Sequence, residues 1–125
     1  MNIEIADYSA LFILPNLEED AVLKIQRIAG ETLGFDVSVG PRHLEFDYSG
    51  RDTGRKVVTF LCRVAPLIGN AEGEAECVLI TGSDERVFEF YTIKNFRLYR
   101  EDAKLVKLPP VEICLKIEEA ALQPA

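Results

Sequence analysis

The segment VFEFYTIKNFRLYR, Val87–Arg100, places five aromatic residues in fourteen positions around a turn-forming Lys94-Asn95. Apolar and polar residues alternate on both sides of the turn, the pattern of an antiparallel hairpin. Register decides which rings such a hairpin buries, because a slip of one residue moves every side chain to the other face. A three-residue loop, Ile93-Lys94-Asn95, sets Thr92 opposite Phe96 and gives Asn95 the positive φ that asparagine tolerates. In that register Phe88, Phe90, Phe96 and Leu98 share a core face, and Glu89, Tyr91, Arg97 and Tyr99 share the other. Tyrosine and arginine anchor protein interfaces. The second face therefore reads as a dimerisation or partner surface, with an ordinary solvated face as the bland alternative.

The rest of the chain supplies the elements around this hairpin. Ile3–Leu14 reads as a central strand with two apolar faces, ended by Pro15. Asn16 and Glu19 make a capping-box-like start for a helix. Its buried stripe is Leu17, Ala21, Ile25, Ile28, Ala29 and Leu33, and Gly34 is placed to close it. Val37–Val39 and His43–Tyr48 read as strands flanking a Gly40-Pro41 turn. Leu44, Phe46 and Tyr48 alternate there with His43, Glu45 and Asp47. A second helix is expected from about Thr53 to Ala65, capped by Asp52, buried through Val57, Phe60, Leu61 and Val64, and stopped by Pro66. Strand Glu74–Thr81, the hairpin, and an extended stretch from Lys104 to Ile117, broken at Pro109-Pro110, complete the order.

This order predicts an α+β two-layer sandwich with both helices on one sheet face. Its core is a ferredoxin-like β-α-β-β-α-β unit, extended by a C-terminal antiparallel hairpin and strand. Residues 1–118 are expected to form one domain and residues 119–125 a frayed tail. No internal repeat or linker divides the chain.

The 125 residues are enough to bury a core without disulfides or metals, and the formal charge is −7. That charge opposes non-specific attraction to nucleic acid or anionic lipid. The longest apolar run, Ala10–Leu14, falls far short of the ~20 residues of a spanning helix. The start MNIEIAD lacks the pattern of a secretory leader. Cys62, Cys77 and Cys114 lie far apart among apolar neighbours, so reduced core thiols in a cytoplasmic protein are expected.

Four further constellations carry potential chemistry. YSGRDTGRKV, Tyr48–Val57, has the strand–glycine loop–helix layout of an anion site, with Arg51, Arg55 and Lys56 as its cations. It departs from the phosphate-loop pattern in glycine spacing and in the Val57 that follows Lys56, and Asp52 would repel an anion. His43, Glu45 and Asp47 on one strand face could hold a divalent metal, but the chain has a single histidine, and a solvated polar face explains them more simply. Ser49 and Cys62 have no sequence relation that would place either beside His43 as a nucleophile. Glu72, Glu74 and Glu76 read as a wet sheet edge discouraging strand addition. A base-stacking RNA sheet is opposed by Glu89, by the acidity and by the lack of its glycine-and-aromatic signature.

The expected function is thus a non-enzymatic protein-interaction domain without cofactor or metal. It would self-associate or bind a basic partner, as an acidic inhibitor or immunity-type protein does, through the sheet face of Glu89, Tyr91, Arg97 and Tyr99. The alternative is a small-ligand or nucleotide-binding regulatory domain using Arg51, Arg55 and Lys56.

Overall fold

The computed structural model describes residues 5–80 and 86–113. In chain order its elements are β1 (Ile5–Ile13), α1 (Glu19–Thr32), β2 (Ser38–Val39), β3 (His43–Arg51), α2 (Lys56–Ile68), β4 (Glu72–Ile80), β5 (Arg86–Lys94) and β6 (Arg97–Lys104). The strands form one sheet in the order β2-β3-β1-β4-β5-β6, and every neighbouring pair is antiparallel. The protein is thus α+β, with a six-stranded antiparallel sheet and two helices. No described helix is long and apolar enough to cross a membrane. The expected tail at 119–125 and the end of the Lys104–Ile117 stretch lie outside the described residues.

β1 is central, as its apolar composition implies, but only one of its faces is buried. Ala6, Tyr8, Ala10 and Phe12 lie in the core, while Ile5, Leu11 and Ile13 are exposed. The same alternation continues into Leu44 and Phe46 of β3, Ala75, Cys77 and Leu79 of β4, and Tyr91 and Ile93 of β5. These residues share one core with Ile25 and Ala29 of α1 and with Val57, Phe60, Leu61 and Val64 of α2. The α2 stripe is the one its helical spacing predicts. Phe60 meets Phe46 edge-on at a centroid distance of 6.1 Å, which locks α2 over β3.

Several boundaries differ from the sequence reading, each for a local reason. α1 starts after Glu18 rather than Asn16. Asn16 takes a positive φ of 71°, and the backbone of Leu14 and Leu17 is tied to Arg42 and Pro41 at 2.8 and 2.7 Å. The approach to α1 is thus spent on closing against the β2–β3 turn. The helix ends at Leu33, not at Gly34. Pro66 lies inside α2, which runs on to Ile68. A proline near the last turn forfeits only one ladder bond. Gly69, with φ 82°, then closes the helix by bonding Ala65. β3 extends to Arg51 and β4 begins at Glu72 because both pair with the full length of β1.

The hairpin register is the main correction. The loop has two residues, Asn95-Phe96, with φ of 53° and 65°, and Lys94 faces Arg97. Two consecutive positive φ values give the primed turn whose twist suits a two-residue hairpin. Phe96 accepts a conformation that favours glycine; its ring lies against Gly69 and its N–H bonds the Gly69 carbonyl at 2.8 Å. The contact to the end of α2 outweighs the turn preference that the sequence displays.

Gly73 has φ 89°, and a Cβ there would collide with the Leu11 carbonyl oxygen of the paired strand. Gly73→Ala is therefore expected to cost about 3 kcal/mol or more, read as a lower denaturant midpoint at unchanged slope.

Candidate functional site

Pairing with β4 sets the faces of β5 opposite to the expected ones, since Glu89 lies across from buried Cys77 and Tyr91 from buried Ala75. Glu89 and Tyr91 are 6% and 2% exposed and point toward the helices. Phe88 and Phe90, expected in the core, lie half-buried on the opposite face; Phe96 is exposed at the turn and Leu98 half-buried beside α2. Arg97 pairs with Lys94, and Tyr99 with Thr92, so both sit on the helix-free face. The four residues expected to share one exposed face are thus divided two and two.

A carboxylate buried to this extent needs a cation and hydrogen bonds. Arg55 provides them from the residue preceding α2. Its φ of 55° is left-handed, and its guanidinium ion-pairs with Glu89 and hydrogen-bonds the Tyr91 hydroxyl at 2.8 Å. Tyr91 also donates to Glu89 at 2.8 Å. Arg100 of β6 approaches the other Glu89 oxygen at 3.7 Å and holds Asp102 at 3.0 Å. Burial is the largest cause raising the Tyr91 hydroxyl pKa above its usual value, with the Glu89 bond acting in the same direction. Burial alone would lower the Arg55 pKa; the hydrogen bond and charge of Glu89, with the neighbouring tyrosine hydroxyls, raise it instead. This network joins one residue of the expected anion site to two of the expected interface. Sequence spacing gave no signal for that, because the partners are 34 and 36 positions apart.

The other two cations, Arg51 and Lys56, line a cavity of about 150 Å³ with Phe35, Tyr48 and Asp52. Phe35 stacks on Tyr48 at 4.6 Å. Asp52 accepts from the Tyr8 hydroxyl at 2.6 Å and from the Val57 N–H at 3.4 Å, so a carboxylate of the chain itself occupies the start of α2. The three expected cations are not brought together, since Arg55 turns inward. His43 is exposed and bonds Ser38 at 3.0 Å. Among the described residues no group of three or more His, Cys, Asp or Glu is arranged to hold a metal ion. Cys77 is buried as expected, whereas Cys62 is exposed on α2, and Cys114 lies outside the described residues.

The helix-free face carries the strongest charge pattern. β4 is an interior strand, so Glu72, Glu74 and Glu76 do not line an edge. Leu11 is flanked by Glu45 on β3 and Glu74 on β4, and Ser9 by Asp47 and Glu76. Asp7, which accepts a hydrogen bond from Ser49, extends the pattern, and Glu101 of β6 faces the same way opposite Phe90. Carboxylates two strands apart are roughly 10 Å from each other, close to the screening length at physiological salt, so their fields overlap. Exposed Leu11 and Ile13 lie among them. The sequence shows the Glu45/Asp47 pair and the Glu72/Glu74/Glu76 triplet separately; only the pairing of both strands with β1 makes them one surface.

Comparison of the chain with family models, with curated proteins and with solved structures finds no match.

Two outcomes test the buried network. Arg55→Met leaves Glu89 with the Tyr91 hydroxyl and the more distant Arg100 and is expected to cost about 2–3 kcal/mol, moderated by the one-third exposure of Arg55. The double variant Arg55→Met/Glu89→Leu should recover most of that loss in a denaturant double-mutant cycle. The second outcome concerns alkali. Burial pushes the Cys77 thiol from 9.0 up to about 11, so the neutral thiol is favoured in the folded state. That contribution is complete below pH 9 and is lost as pH rises from 9 to about 11, and Cys77→Ala should flatten the decline.

Proposed function

We propose that this domain works by binding a basic protein surface through its helix-free sheet face. The observation that supports the reading is the set of carboxylates ranged across β3, β1 and β4 around exposed Leu11 and Ile13. A row of like charges at this spacing gains nothing for the isolated fold. It attracts a cationic partner, speeds encounter and rejects acidic surfaces, while the aliphatic residues supply area to bury on contact. Tyr99 and Arg97 border this face, and Glu89 and Tyr91 act behind it by holding β5 to α2. An acidic inhibitor of a basic protein is the concrete form this reading takes. The β1–α1–β2–β3–α2–β4 portion is read as ferredoxin-like in element order, a label that carries no functional argument.

A second reading places a small anion between Arg51 and Lys56, over the stacked Phe35 and Tyr48. It ranks below the first because Asp52 shares that cavity.

Charge reversal tests the first reading. Glu45→Lys/Glu74→Lys/Glu76→Lys should abolish capture of a basic partner from an extract of the natural source, whereas Glu19→Lys/Asp20→Lys on α1 should not. Captured protein should elute as salt rises from about 0.05 to about 0.5 M. Equal capture by both variants would refute the reading.

A further inference from the structure

Beyond β6 the chain continues as an extended arm, residues 105–113, with no regular secondary structure and every residue exposed. Leu105, Val106, Leu108, Val111 and Ile113 are 60–82% exposed. Five exposed aliphatic side chains in nine positions are a concentration of apolar surface of the kind that marks an interaction site. Pro109-Pro110 stiffens the arm and removes two backbone donors, so it is suited to lying in a groove rather than to adding a strand.

A groove of matching character lies beside the strand from which the arm departs. Arg55, Val58, Cys62, Tyr91, Leu98 and Arg100 line a depression of about 400 Å³ between α2 and β6. It exists because Leu98 and Arg100 face the helix side while α2 reaches only the start of β6, at Leu98, and leaves the rest of the strand exposed. Its walls are Val58, Leu98, the Tyr91 ring and the Cys62 thiol. Its charged lining residues are the cations Arg55, paired with Glu89, and Arg100, 54% exposed; Asp102, bonded to Arg100, lies beside it on the same face of β6. The arm carries Lys107 and Glu112, which answer Asp102 and Arg100 in sign.

We infer that the chain forms a two-fold dimer in which the 105–113 arm of each copy lies in the α2–β6 groove of the other. The arm does not fill its own groove, since its side chains stand in solvent. Nine extended residues span roughly 30 Å, enough to pass from one copy to the groove of a neighbour set beside β6. Reciprocal exchange satisfies both arms and both grooves with one closed interface. The helix-free face takes no part, so the dimer stands independently of the proposed basic partner.

Sedimentation velocity on the full chain, from about 1 to about 100 μM, provides the test. The wild type should be a dimer. L108D/V111D in the arm and C62E in the groove should each weaken it at least about tenfold (about 1.4 kcal/mol), with circular dichroism unchanged because both sites are exposed. An equimolar mixture of the two variants should associate more tightly than either alone, since the intact arm of one meets the intact groove of the other. The helix-free-face variant E45K/E74K/E76K should remain dimeric. A wild type that is monomeric at about 100 μM overturns the inference. So does a dimer that survives L108D/V111D or C62E, or one lost only in E45K/E74K/E76K.

Discussion

The layout of this protein follows from a mismatch in width. Six strands at about 4.8 Å span roughly 24 Å between the outermost axes, whereas two packed helices cover about 20 Å. The helix layer is therefore complete over the middle of the sheet and runs out across β6, where only Leu98 is partly covered. Where the layer is complete, alternate residues can be fully apolar, as in Ala6, Tyr8, Ala10 and Phe12. Where it thins, over β5, polar groups enter beneath the rim of α2. Where it stops, past Leu98, the remainder of β6 is exposed on the helix side as well as on the other.

Glu89 sits at that rim, and its environment shows how one turn controls chemistry elsewhere. The two-residue loop at Asn95-Phe96 fixes the pairing of β5 with β6 and brings Arg100 and Asp102 to the helix side. The inward placement of Glu89 is set in turn by the pairing of β5 with β4, opposite Cys77. The left-handed residue Arg55 then aims its guanidinium across the start of α2. Hydrogen bonds from Tyr91 and Arg55 meet the desolvation of the carboxylate, which explains why a charged residue persists among core positions. The same network links α2 to a strand that the helix otherwise touches little.

The sequence disclosed those parts whose determinants are local and periodic. The burial stripe of α2 is visible at helical spacing, and the alternation of Leu44 and Phe46 with Glu45 and Asp47 identifies β3 and its buried face. Element order was readable for the same reason. The hairpin was not, because Val87–Arg100 alternates acceptably in two registers, the contact of Phe96 with Gly69 comes from the end of a distant helix, and the buried face of β5 is chosen by its pairing with β4. The start of α1 was misplaced because Asn16, a good cap by type, is held by the 41–42 turn. Of the candidate residues, Arg97 and Tyr99 are exposed as their types suggested. Glu89 and Tyr91 are not, and nothing within their own strand marks them as different from their neighbours.

The central position of β1 has a consequence for how the chain acquires its structure. The first strand made is flanked by β3 and by β4, so Ile5 must wait for Ile80, roughly 75 residues later, before its second edge is paired. At typical rates of synthesis that interval is roughly 4–15 s. Through it, the aliphatic face of the most apolar strand has only half its neighbours. The β4–β5–β6 meander, by contrast, closes through local pairings alone. Within this sheet the stickiest strand is thus made before both of its neighbours and shielded late, which makes a holding factor for β1 more valuable to this topology than to one whose early strands lie at the sheet's border.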